Sequence, residues 1–148
     1  MNELLNVEHL SISFHTYNGE VQAVRDASFR LGRGEVLAVV GESGSGKSVM
    51  MQTILKLTPC ELKGGTITFD GKDITNYTDN QMQEIRGSQI GIIFQDAMTS
   101  LNPTMKIGRQ ITESLLRHQK MSRAEAKEQA LELLRQVGIN NPEKRFHQ

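Results

Sequence analysis

One cysteine, Cys60, stands among the 148 residues. Without a second thiol the chain cannot build an internal disulfide framework, and that scarcity fits a reducing compartment. Cys60 itself reads as a chance thiol near a helix end. An excess of charge of either sign is also missing, with Lys+Arg and Asp+Glu at 17 each. A balanced chain has no electrostatic footprint for gripping nucleic acid non-specifically. No run of about 18 apolar residues exists, so no segment reads as membrane-spanning. The N-terminal MNELLNVEH carries an acid early and lacks a basic region followed by an apolar core, which argues against a secretory signal. The sequon Asn76-Tyr77-Thr78 should then be silent. Internal repeats and low-complexity tracts are absent. These absences point to the cytoplasm. What remains is an ordinary soluble composition, 37% apolar and 23% charged, in a chain long enough for one domain with a real core.

Alternating apolar positions organise the first part of the chain. Leu5 and Val7, then Leu10, Ile12 and Phe14, predict a strand with one phase change near His9. HTYNGE reads as a turn with Asn18-Gly19 at its tip, and VQAVRDASFRL resumes strand character. After the turn GRGE, the run Val36–Val40 has the continuous apolar character of a strand buried on both faces. Beyond Lys47, Val49, Met50, Ile54 and Leu57 fall at helical spacing, with a stop expected before Pro59. GGTITFDGKDI predicts two strands around an Asp70-Gly71 turn. Thr78 with Gln81 forms a capping-box pattern, and Gly87 suits that helix's end. QIGIIFQD is a second candidate buried strand. From Pro103 the pattern is helical: Ile107, Ile111 and Leu115 recur every fourth residue. Ser122 with Glu125 starts another helix, whose apolar face is Ala126, Ala130, Leu133, Leu134 and Val137, ending at Gly138.

The chemistry concentrates in Gly41-Glu42-Ser43-Gly44-Ser45-Gly46-Lys47-Ser48, a complete G-x-x-x-x-G-K-[ST]. Glycines let successive backbone N–H groups turn inward with no Cβ in the way. A helix starting at the loop's end aims its dipole and unpaired N–H groups at the same anion. Lys47 brings a mobile positive charge to the β- and γ-phosphates of a nucleotide, and the Ser48 hydroxyl is a Mg²⁺ ligand. A serine-glycine linker would share the composition, but not an apolar run before it and a helix after it. This loop alone does not name a reaction, because kinases, GTPases, helicases and transport ATPases share it. In IGIIFQDAMTSLNP (Ile90 to Pro103), Gln95 sits at a strand end. There it either binds Mg²⁺ and orients water or is a plain terminal polar residue.

Taken together, GESGSGKS, GGTITFDGKDI and IGIIFQDAMTSLNP resemble the ATP-binding subunit of ABC transporters. RGSQIGIIFQDAMTSLNP is similar to the subunits serving oligopeptide, dipeptide and nickel importers. The resemblance covers essentially the whole chain. Ala97 is a departure, since that group more often has proline after the aspartate. The implied fold is an α/β P-loop NTPase with an antiparallel β subdomain and the start of a helical subdomain. Residues 1–103 would form the nucleotide-binding core with the Walker A loop and Q-loop. Residues 104–148 would begin the helical subdomain that faces a transmembrane partner. By resemblance Gln95 matches the Q-loop glutamine, which reaches the Mg²⁺ and attacking-water region. Phe14 matches the aromatic that stacks on adenine, with Tyr17 as competitor because the turn is long; an inward core role is the alternative for Phe14.

The implied function is coupling ATP–Mg²⁺ binding and hydrolysis to peptide uptake. The implied partners are transmembrane permease subunits and a second, identical or different, ATPase subunit, at the cytoplasmic face of the inner or plasma membrane. A non-catalytic nucleotide-binding piece, or an importer of nickel, glutathione or other small solutes, stays open. A kinase or GTPase is disfavoured because IGIIFQDAMTSLNP has no role there. In the family, a serine-glycine-glycine signature, an apolar strand ending in Asp-Glu and a later switch histidine follow; none occurs in these 148 residues. The chain therefore resembles the front half of a longer protein. It is expected not to turn over ATP alone, and to be prone to aggregation through strand edges left without neighbours.

Overall fold

A computed structural model describes residues 3–96 and 100–148. Met1 and Asn2, within the N-terminal stretch read above, and Ala97, the departure from the family pattern, lie outside the described residues. The chain divides into two compact units, one running to Glu84 and the other covering Ile85–Gln148.

The first unit is built on β1 (Glu3–Thr16) and β2 (Gly19–Gly32), a long hairpin closed where Thr16 pairs with Gly19. The predicted phase change near His9 is a pair of compensating bulges. Val7 pairs with Phe29 and Leu10 with Ala27, so β1 holds one extra residue; Ile12 pairs with Val24, so β2 then holds one extra. The positive-φ residues in these intervals are His9 (φ 52°) and Asp26 (φ 49°). The two bulge amides are satisfied reciprocally: His9 N–H donates to Ser28 Oγ at 2.8 Å and Asp26 N–H to Ser11 Oγ at 3.1 Å. The bulges bring Val7, Leu10 and Ile12 to one buried face, all at 0% exposure, despite their mixed parity.

His9 Nδ1 lies 2.6 Å from Asp26 Oδ1, and this bond holds the His9 pKa above its ordinary value. A raised folded-state pKa means the pair stabilises the hairpin below the unfolded histidine pKa and loses that contribution as pH rises through the folded one. Asp26→Asn, which tolerates the left-handed backbone, is expected to move the His9 NMR titration midpoint down. An unchanged midpoint would mean Asp26 does not set it.

β3 (Glu61–Phe69) pairs antiparallel with β1, and β4 (Lys72–Asp73) follows the expected Asp70-Gly71 turn, giving the sheet order β2-β1-β3-β4. Ile67, Ile74 and Met82 complete the core. Between β2 and β3 runs α1 (Lys47–Ile54), which buries Met50, Thr53 and Ile54. It stops earlier than the apolar spacing implies. Lys56 at φ 51° donates its N–H to Thr53 O, and Leu57 N–H reaches Gln52 O, a Schellman closure with lysine where glycine is usual. Leu57 is thus outside the helix and 40% exposed. Cys60 is half-buried, its Sγ 3.2 Å from Thr53 Oγ1. α2 (Asp79–Ile85) starts at the predicted cap, with Thr78 N–H donating to Gln81 Oε1 at 2.8 Å.

Two sequence expectations fail. Val36–Val40 forms no strand; Val36 is 97% and Val40 89% exposed. QIGIIFQD contributes only an isolated bridge from Ile90 to Arg86, and Ile93 is 98% exposed. An apolar run becomes a buried strand only when other strands and a covering layer flank it. All four described strands are committed to one antiparallel sheet, and none pairs with either run.

The second unit carries α3 (Ile107–His118), α4 (Arg123–Gln136) and α5 (Pro142–Phe146). Leu115, Ala126 and Ala130 are buried, with Ile111, Met121 and Phe146 against them. The Ser122–Glu125 capping box forms both ways: Ser122 N–H donates to Glu125 Oε2 at 2.7 Å and Glu125 N–H to Ser122 Oγ at 3.3 Å. Such a cap stabilises a helix by about 1 kcal/mol. The buried face of α4 is Ala126, Ala130, Leu131 and Leu134. Leu133 and Val137 instead face solvent at 41% and 72% exposure, so the face is rotated from the one expected: the alanine pair, four residues apart, sets it. The α4 end is the predicted one: Gly138 (φ 76°) donates to Arg135 O, and Ile139 to Leu134 O.

Candidate nucleotide site

The glycine loop leads directly into α1 and lies against β2. Gly46 is the N-cap of α1 at φ 87°, with no side-chain cap. The helix's first internal bond is Met50 N–H to Gly46 O at 2.8 Å. The amides of Lys47, Ser48 and Val49 therefore have no carbonyl partner within the helix, the arrangement that suits an anion. A Cβ at Gly46 would stand 2.5 Å from Ala23 O and 3.2 Å from Val24 Cγ2. The loop is thus pinned to β2 by close backbone approach, a buttress that the sequence reading did not identify. Glycine at that position was its only signal.

Lys47 is half-buried, and its Nζ donates to Gly41 O at 2.7 Å, Glu42 O at 2.6 Å and Ser45 Oγ at 3.1 Å. The ammonium is folded back under the loop, where all three acceptors hold it central to the backbone arc. A Cβ at Gly41 would come within 2.9 Å of Ser45 Oγ, a contact that rotation of the Ser45 hydroxyl relieves. Glu42, Ser43, Gly44 and Ser48 are exposed along the arc. Among the described residues no cluster of three or more His, Cys, Asp or Glu could hold a metal ion. The Ser48 hydroxyl stands exposed at the start of α1.

Phe14 is half-buried and pairs with Val21, two positions from the Ala23 that buttresses Gly46. Tyr17 stands fully exposed, at 105%, at the hairpin tip. The first unit thus carries the phosphate loop and both aromatic candidates. Gln95 is exposed, at a bend in the second unit, and Asp96 O accepts from Ser100 Oγ at 3.0 Å.

A glycine-rich loop opening a helix, beside an antiparallel hairpin sheet, is the architecture of the P-loop class. Residues 24–148 match the family model described as ABC transporter. The chain belongs to the ABC transporter family. It is 56% identical over its whole length to the oligopeptide transport ATP-binding protein OppD of Bacillus subtilis, of which it covers 42%. It is 49% identical, over 95% of its length, to the dipeptide transport ATP-binding protein DppD of Lactococcus lactis, of which it covers 41%. The chain therefore spans less than half the length of these relatives. A dimeric structure of the ATP-binding cassette MJ0796, bound to ADP and Pi, aligns with 97% of this chain and 60% of its own at a TM-score of 0.81 and 23% identity. The cbiO1 cassette of Clostridium perfringens aligns at 0.67 and 28% identity, over 95% of this chain and 52% of its own. The ABC-cassette fold expected from the sequence is the fold these structures share.

Proposed function

We propose that this chain is the nucleotide-binding front part of an ABC importer's ATP-binding subunit, serving peptide uptake. The observation that carries it is the Lys47 ammonium held by three loop acceptors at the uncapped start of α1. The peptide assignment is supported by the names of the relatives at 56% and 49% identity; nickel, glutathione or another small solute is the competing cargo. Residues 1–103 hold ATP–Mg²⁺ and residues 104–148 begin the helical region. Transmembrane permease subunits and a second ATPase subunit are the partners, with this subunit peripheral at the cytoplasmic face of the membrane.

In this function the amides of Gly41–Ser48 hold the phosphates, Lys47 neutralises the β/γ charge and Ser48 supplies one metal ligand. Gln95 is assigned the family's Q-loop role on the resemblance of IGIIFQDAMTSLNP alone. Tyr17 presents its whole ring for adenine stacking, whereas Phe14 already spends part of its surface on the sheet. Bound ATP supplies the phosphoanhydride whose cleavage the full protein couples to transport. Cleavage needs metal, water and γ-phosphate positioned at once, and no strand ending in Asp-Glu occurs in these residues. The chain is therefore expected to bind a fluorescent ATP analogue in a Mg²⁺-dependent, saturable manner. Its steady phosphate release should not exceed that of its Lys47→Ala variant. Absence of saturable binding would sink the nucleotide assignment, and release above the variant would sink the division of labour.

A further inference from the structure

The chain is neutral as a whole, but its two units are not. Ile85–Gln148 holds ten Lys and Arg against six Asp and Glu, and the first unit carries the opposite excess. Within the second unit the excess is local. A cavity of about 510 Å³ opens between α3, α4 and α5, with Lys106, Arg109, Arg123, Lys127 and His147 around it. No acidic residue lines it. Elsewhere in this unit Arg135 is held by Glu143 at 2.7 Å and by Glu132 at 3.4 Å. Among the described residues, none of the four Lys and Arg side chains at the cavity has a carboxylate partner. All four are exposed, so their charge is available.

The floor of the cavity is apolar. Leu116 is 40% exposed, and Phe146 lies over Gly108, where a Cβ would stand 2.4 Å from the Phe146 ring. Lys127 Nζ stands 6.0 Å from the centroid of that ring, and His147 meets its edge. A volume of this size suits one small organic molecule. Unpaired guanidinium and ammonium groups around it suit phosphate, which arginine grips bidentately. A phosphate alone would leave the floor unused, and an apolar molecule alone would leave the cations unpaired.

We propose that this cavity binds a phosphate-bearing amphiphile, its phosphate among Arg109, Arg123, Lys106 and Lys127 and its apolar body on Leu116 and Phe146. Calorimetric titration of the 148-residue chain with dihexanoyl phosphatidate, below its micelle concentration, is expected to give saturable binding. Arg109→Gln with Lys127→Gln should weaken it by about tenfold or more, while Lys144→Gln with Arg145→Gln, exposed cations outside the cavity, should leave it within about twofold. If the first pair alters the circular dichroism spectrum, the single Lys106→Gln variant and the salt dependence of affinity carry the same test.

Equal binding of dihexanoyl phosphatidylcholine, equal binding of inorganic phosphate, or indifference to the cavity substitutions overturns the proposal. So does an acidic peptide or single-stranded oligonucleotide that binds more tightly through the same cations. Cosedimentation with phosphatidylglycerol vesicles, lost in the Arg109/Lys127 variant, would identify a bilayer as the source. Binding of the soluble amphiphile without vesicle binding would identify a free organic phosphate. Binding of neither overturns it.

Discussion

Lys47→Ala is expected to abolish useful nucleotide binding while leaving the fold unchanged. The Lys47 side chain makes three hydrogen bonds, all to the loop itself: Gly41 O, Glu42 O and Ser45 Oγ. Those acceptors are exposed, so water replaces the ammonium at little cost when the side chain is truncated. Stability should therefore change by less than about 0.5 kcal/mol, as for an ordinary surface substitution. Binding is different. Under the proposed function the ammonium meets the β- and γ-phosphates, and a hydrogen bond to a charged group contributes about 1.5–3 kcal/mol. Losing two of them costs about 3–6 kcal/mol, a weakening of more than about 100-fold. Lys47→Arg should recover only part of this, because a planar guanidinium cannot point donors at three converging acceptors as a tetrahedral ammonium does. Chemical denaturation and titration with a fluorescent ATP analogue on the same samples separate the two effects. A variant that loses binding and stability together would show Lys47 acting as a structural strut of the loop.

The features legible in the sequence were those encoded within a few residues. The loop was legible because G-x-x-x-x-G-K-[ST] states its own backbone requirements, and α1 begins at Lys47 as expected. The Thr78–Gln81 and Ser122–Glu125 caps were legible for the same reason. So was the disturbance at His9, where apolar parity breaks; the compensating bulge at Asp26 was not, because its cause lies across the hairpin. What failed depended on distant partners. Val36–Val40 and QIGIIFQD (Gln89–Asp96) have the composition of buried strands, yet burial is a property of neighbours, and the described sheet supplies none. The cavity cations were invisible for a related reason: Lys106 and Arg109 come from one stretch of the chain, and Arg123 and Lys127 from another. The overall charge balance hid them.

Gly46→Ala is expected to damage the same site by another route, and the loop's glycines should not behave alike. At Gly46 the added Cβ meets Ala23 O at 2.5 Å, on a backbone at φ 87°. A side chain in the left-handed region costs about 1–2 kcal/mol. The clash is with main chain of β2, which cannot turn away as a flexible side chain would, and overpacking of this kind adds about 1–3 kcal/mol. The first unit should therefore lose about 2–5 kcal/mol. The relief available is to lift the loop from β2, which tilts the start of α1 and scatters the amides of Lys47, Ser48 and Val49. Nucleotide affinity should fall with stability. Gly44 has a similar φ of 82°, but no atom lies within 4 Å of a Cβ built there. Gly44→Ala should cost only the backbone strain, and Gly44→Asn less, since asparagine tolerates that conformation. Denaturant midpoints for the three variants test the ranking. If Gly46→Ala proves as mild as Gly44→Ala, the loop is not anchored on Ala23, and its shape is set by the glycine sequence alone.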